Sequence, residues 1–327
     1  MKVLLTGANG FVGSHVLDSL CGRGIATALL LRPASNRRFI ETHLPHVEVR
    51  TGSIDDLQDL GRALHDITHV IHCAGCTKAL HASEFHRVNQ LGTRQVVEAI
   101  NQRPGQIQRF VHISSLAAGR PALPGQPAQE DDPSEPVSEY GRSKLAGEQE
   151  VRSLCKSEYV ILRPSAVYGP RDGEFLRLFK AVKAHLLPRL GGGRQALSLV
   201  FVKDLAEAAV NCLTHPAAAR RTYYVASPEI QNPSGMADEI AAQMRTWTVA
   251  LPLPMIALWP VCLFQEILSR LTRKPNVLSL QKYAELCAAG WVCDPGRLRQ
   301  ELDFVCTTGL RSGIAETLAW YRRQDWL

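Results

Sequence analysis

The sequence predicts an α/β fold in which a doubly wound parallel sheet is followed by a smaller, mainly helical C-terminal domain. Two observations carry the sheet. Short apolar runs recur at 3–6, 28–31, 47–50, 69–72, 109–114, 159–163 and 197–202, with helix-compatible stretches between them. Parallel strands joined by crossover helices are the economical way to bury such runs. The first run also ends in a glycine-rich turn that leads into helical sequence. A third observation carries the C-terminal domain: the last third of the chain loses the alternation and keeps only helical periodicity.

Taken in order, Val3-Leu4-Leu5 runs into Thr6-Gly7-Ala8-Asn9-Gly10-Phe11-Val12-Gly13. Gly7 suits a tight turn, Gly10 lets backbone approach a pyrophosphate, and Gly13 lets the helix sit close to the sheet. The first amides of that helix then favour an anion. Val16, Leu17 and Leu20 follow at helical spacing, Gly22-Arg23-Gly24 stops the helix, and 26–31 is the second strand of a βαβ unit. Residues 89–101 are expected to be helical, with Leu91, Val96, Val97 and Ile100 on one side. Residues 121–136, with five prolines and four acidic residues, read as a surface loop beside the crevice. Helices are expected again at 138–153 and at 309–326, the latter with Leu310, Ile314, Leu318 and Tyr321 on one face.

Composition narrows the class of protein. A chain of 327 residues, 45% hydrophobic and 21% charged, can bury a large core in two domains. The net charge of +6 is spread thinly, so a nucleic-acid partner is not expected. Nine dispersed cysteines, with Cys73 and Cys76 the one close pair, point to reduced thiols, a cytoplasmic setting and no metal site. A strand beginning at residue 2 or 3 leaves no room for a signal peptide ahead of it. Twenty uncharged residues between Arg245 and Glu266 complicate this picture. Pro252, Pro254 and Pro260 break them up. The favoured reading of 249–264 is a buried or pocket-lining helix pair; a peripheral membrane contact, aided by Arg270, Arg273 and Lys274, and a true span are the alternatives.

Two short motifs carry chemistry. Tyr140-Gly141-Arg142-Ser143-Lys144 puts a phenol and an ammonium four residues apart, on one helical face. A free phenol has a pKa of about 10. A neighbouring cation favours its ionised form, so the pair can exchange a proton with an alcohol or ketone. Upstream, Ser114-Ser115 ends a strand, where a hydroxyl can hydrogen-bond a substrate oxygen as charge develops on it.

Together the motifs resemble the extended short-chain dehydrogenases/reductases, the NAD-dependent epimerase/dehydratase superfamily, over nearly the whole chain. The ordered elements are Thr6-Gly7-x-x-Gly10-x-x-Gly13, His72-Cys73-Ala74-Gly75, Val88-Asn89-x-x-Gly92-Thr93, Ser114-Ser115, Tyr140-x-x-x-Lys144, Arg163-Pro164-x-x-Val167-Tyr168-Gly169-Pro170 and Val202-x-Asp204-Leu205-Ala206. The resemblance implies a Rossmann domain over 1–168, rejoined by 196–226, and a substrate-binding domain from 169–195 and 227–327. It implies that Tyr140 is the general acid/base and that Lys144 binds the nicotinamide ribose and lowers the Tyr pKa. Ser115 would hold the substrate oxygen, with Ser114 the alternative. Gly7, Gly10, Phe11, Val12, Gly13, Ala74, Gly75, Pro164 and Val167 would contact the cofactor, Ser165 would line the nicotinamide pocket, and Asn89 would sit beneath the site. Family members are often dimers through the helices near Asn89 and Tyr140, so a homodimer is a further expectation.

Cofactor and substrate are partly readable. An NAD site usually ends its second strand in an acidic residue, whereas this strand ends Leu30-Leu31-Arg32-Pro33. Arg32, with Arg37 or Arg38, could pair a 2′-phosphate, which favours NADP(H) over NAD(H). Ser53 and Ile54 stand where the family often places an adenine-contacting Asp. Ala166 replaces the Asn that sugar-nucleotide members commonly present to a diphosphate. That departure and the apolar 249–264 resemble the 3β-hydroxysteroid dehydrogenase-like and dihydroflavonol reductase-like branch. The expected activity is NAD(P)-dependent interconversion of a secondary alcohol and a ketone on a mainly apolar, steroid-, flavonoid- or lipid-like small molecule. A nucleotide-sugar epimerase/dehydratase with retained NAD, and a non-catalytic dinucleotide-binding protein, are the alternatives.

Overall fold

Apolar β-branched and leucine-rich runs pair as expected, and the order in which they pair creates the crevice. The computed structural model describes residues 1–190, 195–272 and 280–327. Its main strands are β1 (Lys2–Thr6), β2 (Ala26–Leu31), β3 (Glu48–Thr51), β4 (His69–His72), β5 (Arg109–Ile113) and β6 (Glu158–Pro164). After them come β7 (Ala166–Tyr168), β8 (Leu186–Leu190), β9 (Ala196–Phe201) and β10 (Arg221–Val225). Seven strands form one parallel sheet in the order β10-β6-β5-β4-β1-β2-β3. The order reverses between β1 and β4, the switch point at which such sheets open a ligand crevice beyond their carboxyl ends.

Helices cover both faces. On one lie α1 (Phe11–Gly22) and the later α7 (Val202–Asn211), whose Val16, Leu17, Leu20, Leu205 and Ala209 join the core of β1, β2 and β5. On the other lie α2 (Leu57–Ala63), α4 (Thr93–Asn101) and α5 (Glu139–Leu154), which bring Leu60, Val96, Val97, Ile100 and Val151. Between α2 and α4 stands the one-turn α3 (Ala82–Phe85). The expected helix from 89 begins as a π-helical turn, His86–Gly92, before becoming α4. Strand β3 closes one edge of the sheet with charge: Lys2 and Arg50 bridge Glu48 and Asp66 at 2.6–2.8 Å. Charged edges resist pairing with another chain.

The second lobe is built around β9, which pairs with β7, with β11 (Ile230–Gln231) and with β13 (Gly290–Trp291). The apolar run at 197–202 therefore forms its strand in this smaller sheet. The seventh strand of the main sheet is β10, an aromatic Arg-Thr-Tyr-Tyr-Val edge without a continuous apolar run. Also here are α6 (Leu176–Lys183), α8 (Pro233–Met244), β12 (Val249–Leu253, paired with β8), α9 (Met255–Thr272) and α10 (Leu280–Cys287). The chain finishes with α11 (Gly296–Leu302) and α12 (Leu310–Arg323). On α12 the predicted face is the buried one: Ile314, Leu318 and Tyr321 meet Phe179, Phe201 and Ile240.

One expectation is refined and another corrected. The 121–136 segment does not simply cross the surface. It is stitched to β13 and the residues after it through Ala122 N–H to Gly290 O (3.0 Å) and Ala128 N–H to Val292 O (2.9 Å), with Ala122 and Ala128 buried. The 249–264 segment is not a buried helix pair but strand β12 followed by the start of one helix, with Pro252 and Pro254 ahead of it and Pro260 within it. Only Leu258 and Cys262 of its helical part are buried, because α9 needs one narrow stripe to pack; the rest of its apolar surface faces outward. No described helix is long and apolar enough to cross a membrane. Arg273 and Lys274 lie outside the described residues.

Candidate active site

The β1–α1 turn shows why small residues are required there. Gly7 has φ +73°, and a Cβ on Gly13 would sit 2.1 Å from Gly7 O. The turn can thus lie directly under the start of α1, tied by Gly10 N–H to Gly7 O at 3.0 Å. Gly10 is the N-cap, with no side-chain cap and no acidic residue in the first turn of α1. The helix's positive end is left to the crevice, the arrangement that suits a diphosphate.

From this turn a cavity of about 560 Å³ runs along the carboxyl ends of the strands. Gly7, Gly10, Phe11, Val12, Gly13 and Gly75 line one part; Ser114, Ser115, Tyr140, Lys144, Pro164, Ser165 and Val167 line the next. Arg32, Ser53, Ile54 and Ala74 are outside the lining. Arg32 is exposed just past the end of β2. Ser53 is held by its N–H to Asp59 (2.9 Å), Ile54 packs into the core beside Gly92, and Ala74 N–H reaches Thr6 Oγ1 at 3.3 Å. Arg38 is drawn away to the C-terminus, where it contacts Gln324 and the face of Trp326.

The reactive side chains are set by α5, whose N-cap Ser138 accepts Gly141 N–H on its hydroxyl at 3.1 Å. Tyr140 and Lys144 project from one face into the cavity. Burial pushes the Tyr140 phenol up to about 12, opposed by a hydrogen bond with the Ser115 side chain. Burial lowers the Lys144 ammonium to about 8, opposed by the charge of Glu148; its Nζ donates to Ile113 O at 2.7 Å. The serine doublet divides. Ser114 Oγ is spent on Glu148 Oε1 (2.5 Å), whereas Ser115 caps Ala117 N–H and faces Tyr140.

Asn89, buried in the π-helical turn, receives Cys76 N–H on Oδ1 (2.8 Å) and donates from Nδ2 to Cys76 O and Ser143 Oγ, both at 2.9 Å. It fastens the loop after β4 to α5. One turn further along α5, Glu148 accepts two bonds from Arg163 at 2.8 Å each and one from Arg152. These partners keep its carboxyl below the usual range despite burial. Glu148 was not singled out from the sequence, although its spacing of four from Lys144 places it on the same helical face.

The far half of the cavity combines Leu80, Phe85 and Phe175 with charge. Lys78 pairs with Glu174 and Lys282 with Glu285, both at 2.9 Å, and Ser138 donates to Glu285 at 2.6 Å. Helix α9 contributes Gln265, Glu266 and Ser269, not the 249–264 stretch expected to line the pocket. No local motif marks these residues; they meet only because the second lobe folds over the crevice.

Among curated proteins the chain is 32% identical to a ceramide reductase from Caulobacter vibrioides, over 99% of this chain and 96% of that protein. It is 30% identical to a UDP-glucose 4-epimerase from Vibrio cholerae, over 82% and 83%. Among solved structures, a UDP-glucose 4-epimerase from Thermotoga maritima superimposes with a TM-score of 0.80 at 17% identity, covering 99% of this chain and 100% of that one. The model of the NAD dependent epimerase/dehydratase family matches residues 3–226, from β1 through β10. That span takes in the glycine turn, the Ser-Tyr-Lys wall and every strand of the main sheet, and the chain accordingly belongs to this family of extended short-chain dehydrogenases/reductases.

Proposed function

We propose that the protein is an NAD(P)-dependent oxidoreductase that interconverts a secondary alcohol and a ketone on a lipid-like substrate. The observation that carries the reading is the convergence of Ser115, Tyr140 and Lys144 on one cavity that begins at the uncapped α1 turn. When bound, the nicotinamide supplies or takes up the hydride. In reduction Tyr140 donates its proton to the carbonyl oxygen, and in oxidation it takes it back. A phenol pushed up to about 12 is protonated at neutral pH, the donor state that reduction needs. Ser115 hydrogen-bonds the same oxygen, and Lys144 holds the nicotinamide ribose. Gly7, Gly10, Phe11, Val12, Gly13, Gly75, Pro164 and Val167 shape the cofactor groove. Arg32, exposed at the end of β2, favours NADP(H) over NAD(H).

The substrate class rests on the ceramide reductase relative, similar over nearly all of both proteins. It also rests on the far half of the cavity, where paired charges beside Phe85 and Phe175 suit a polar head attached to an apolar remainder. The test is a titration of purified protein with NADPH and NADH, followed by turnover of long-chain ketones bearing an amide or hydroxyl near the carbonyl. Tyr140→Phe should lower turnover by about 10²–10⁴-fold while leaving cofactor affinity intact. Unchanged turnover in that variant, or cofactor binding with no carbonyl reduced, overturns the reading. The UDP-glucose 4-epimerase relative supports a second reading, sugar-nucleotide epimerisation, which predicts tightly retained NAD and no net redox change.

A further inference from the structure

We infer that the outward face of β12 and α9 is a docking surface for an anionic lipid bilayer. Exposed apolar positions run in sequence from strand to helix: Val249, Leu251, Ile256, Trp259, Phe264 and Ile267, with Ile256 79%, Phe264 64% and Trp259 48% exposed. Scattered apolar residues on a surface need no explanation, but large ones grouped on one strand and the next helix do. Trp247, 67% exposed, continues the group and stacks on His185 at 4.0 Å. Aromatic rings with a polar edge favour the boundary between headgroups and acyl chains.

Charge decides the occupant. Every charged residue between Phe175 and Lys203 is basic, and Arg177, Lys180, Lys183 and Arg189 are exposed. This stretch holds α6 and β8, and β8 pairs in register with β12, placing Arg189 beside Pro252. Arg189 lies 3.8 Å from Asp238, and Arg245 is exposed four residues before β12. There is no acidic residue between Glu239 and Glu266. An apolar face bordered by cations matches a bilayer with anionic headgroups, to which each basic residue near the surface adds attraction. A second copy docked symmetrically through the same face would bring those cations together.

The position of the face gives docking a purpose. Helix α9 presents Ile256, Trp259 and Phe264 outward and, one to five residues on, sends Gln265, Glu266 and Ser269 into the cavity wall. Docking on this face would hold the helix that walls the substrate end of the cavity at the membrane surface, which accords with the lipid-like substrate proposed above. The inference does not depend on that reading, because its test reads binding and not turnover.

The experiment is flotation of the full chain with phosphatidylcholine vesicles, with and without phosphatidylglycerol. Wild type should float with the anionic vesicles, weakly with neutral ones, and less at high salt. Ile256→Ser/Trp259→Ser/Phe264→Ser combined should reduce the bound fraction at least about tenfold with an unchanged melting temperature. Should that variant fail to fold, Lys183→Glu/Arg245→Glu gives an independent arm with the same expected loss on anionic vesicles. Wild type that stays unbound, variants that bind as well as wild type, or a wild-type dimer that the triple variant dissociates would each overturn the proposal.

Discussion

Ser114 and Ser115 are chemically identical neighbours whose hydroxyls meet opposite surroundings. Ser114 completes the shell of a buried carboxylate, and Ser115 meets the phenol of Tyr140. Their variants should therefore fail differently. Ser115→Ala should lower kcat and lose no more stability than its cap on Ala117 supplies, whereas Ser114→Ala should leave the cap in place and cost about 1–3 kcal/mol in urea denaturation, because Glu148 loses a buried partner. An undiminished kcat in Ser115→Ala, or no loss of stability in Ser114→Ala, would contradict the division. The doublet itself was legible in the sequence, as were Tyr140, Lys144 and the three glycines, since each motif is local. The resemblance favours Ser115 of the two; that Ser114 is committed elsewhere shows only in the fold, because it depends on Glu148 arriving from α5.

At the scale of elements, α5 is held from below by the Glu148–Arg163 pair that joins it to β6. Arg163 also touches Ser134 Oγ (3.0 Å) and the Tyr224 hydroxyl (3.2 Å), so one guanidinium gathers the 121–136 segment, β6 and β10. Replacing Glu148 with Ala would leave that cation buried and poorly paired. We expect a loss of about 3–5 kcal/mol by chemical denaturation; a loss below about 1 kcal/mol would mean that the pair is replaceable by water. Element type was readable wherever a period was strong, as in α12, whose buried face matched its sequence pattern. It failed for 249–264, where an apolar stretch announced burial. Periodicity says how a segment folds, and not whether another element covers it, so the sequence left burial and surface contact as alternatives for 249–264 and favoured the wrong one.

For the molecule as a whole, His15 links the lobes. From α1 it contacts Pro170 O through Nε2 at 2.9 Å, just past β7 of the second lobe. Burial, reinforced by the charge of Arg171, lowers the imidazole to about 4. The folded protein therefore excludes a proton that the unfolded chain accepts below about pH 6.5. Stability from this site is complete above that value and is lost as pH falls toward 4, about 2 kcal/mol by pH 5. Melting curves at pH 7 and 5 should show the drop, and His15→Gln should shrink it; an equal drop in the variant would place the acid sensitivity elsewhere. The doubly wound sheet was legible because its central strands are buried and apolar. The interleaving of the lobes was implied by the resemblance, which returned 196–226 to the nucleotide domain; that β10 is the strand which returns was not legible, since it is a short aromatic edge with no pattern of its own.

That interleaving also orders events during synthesis. The chain makes β6, departs to build β7, β8 and β9, and only then supplies β10, the strand that covers the edge of β6. At ribosomal speed the uncovered edge persists for on the order of seconds. Throughout that time the nascent nucleotide lobe carries an open row of backbone donors and acceptors along a strand whose middle, Tyr159 to Leu162, is apolar. The charged border on β3 guards the opposite side from the outset, so the vulnerability of the newborn chain to mispairing is confined to one flank and ends when residue 225 emerges.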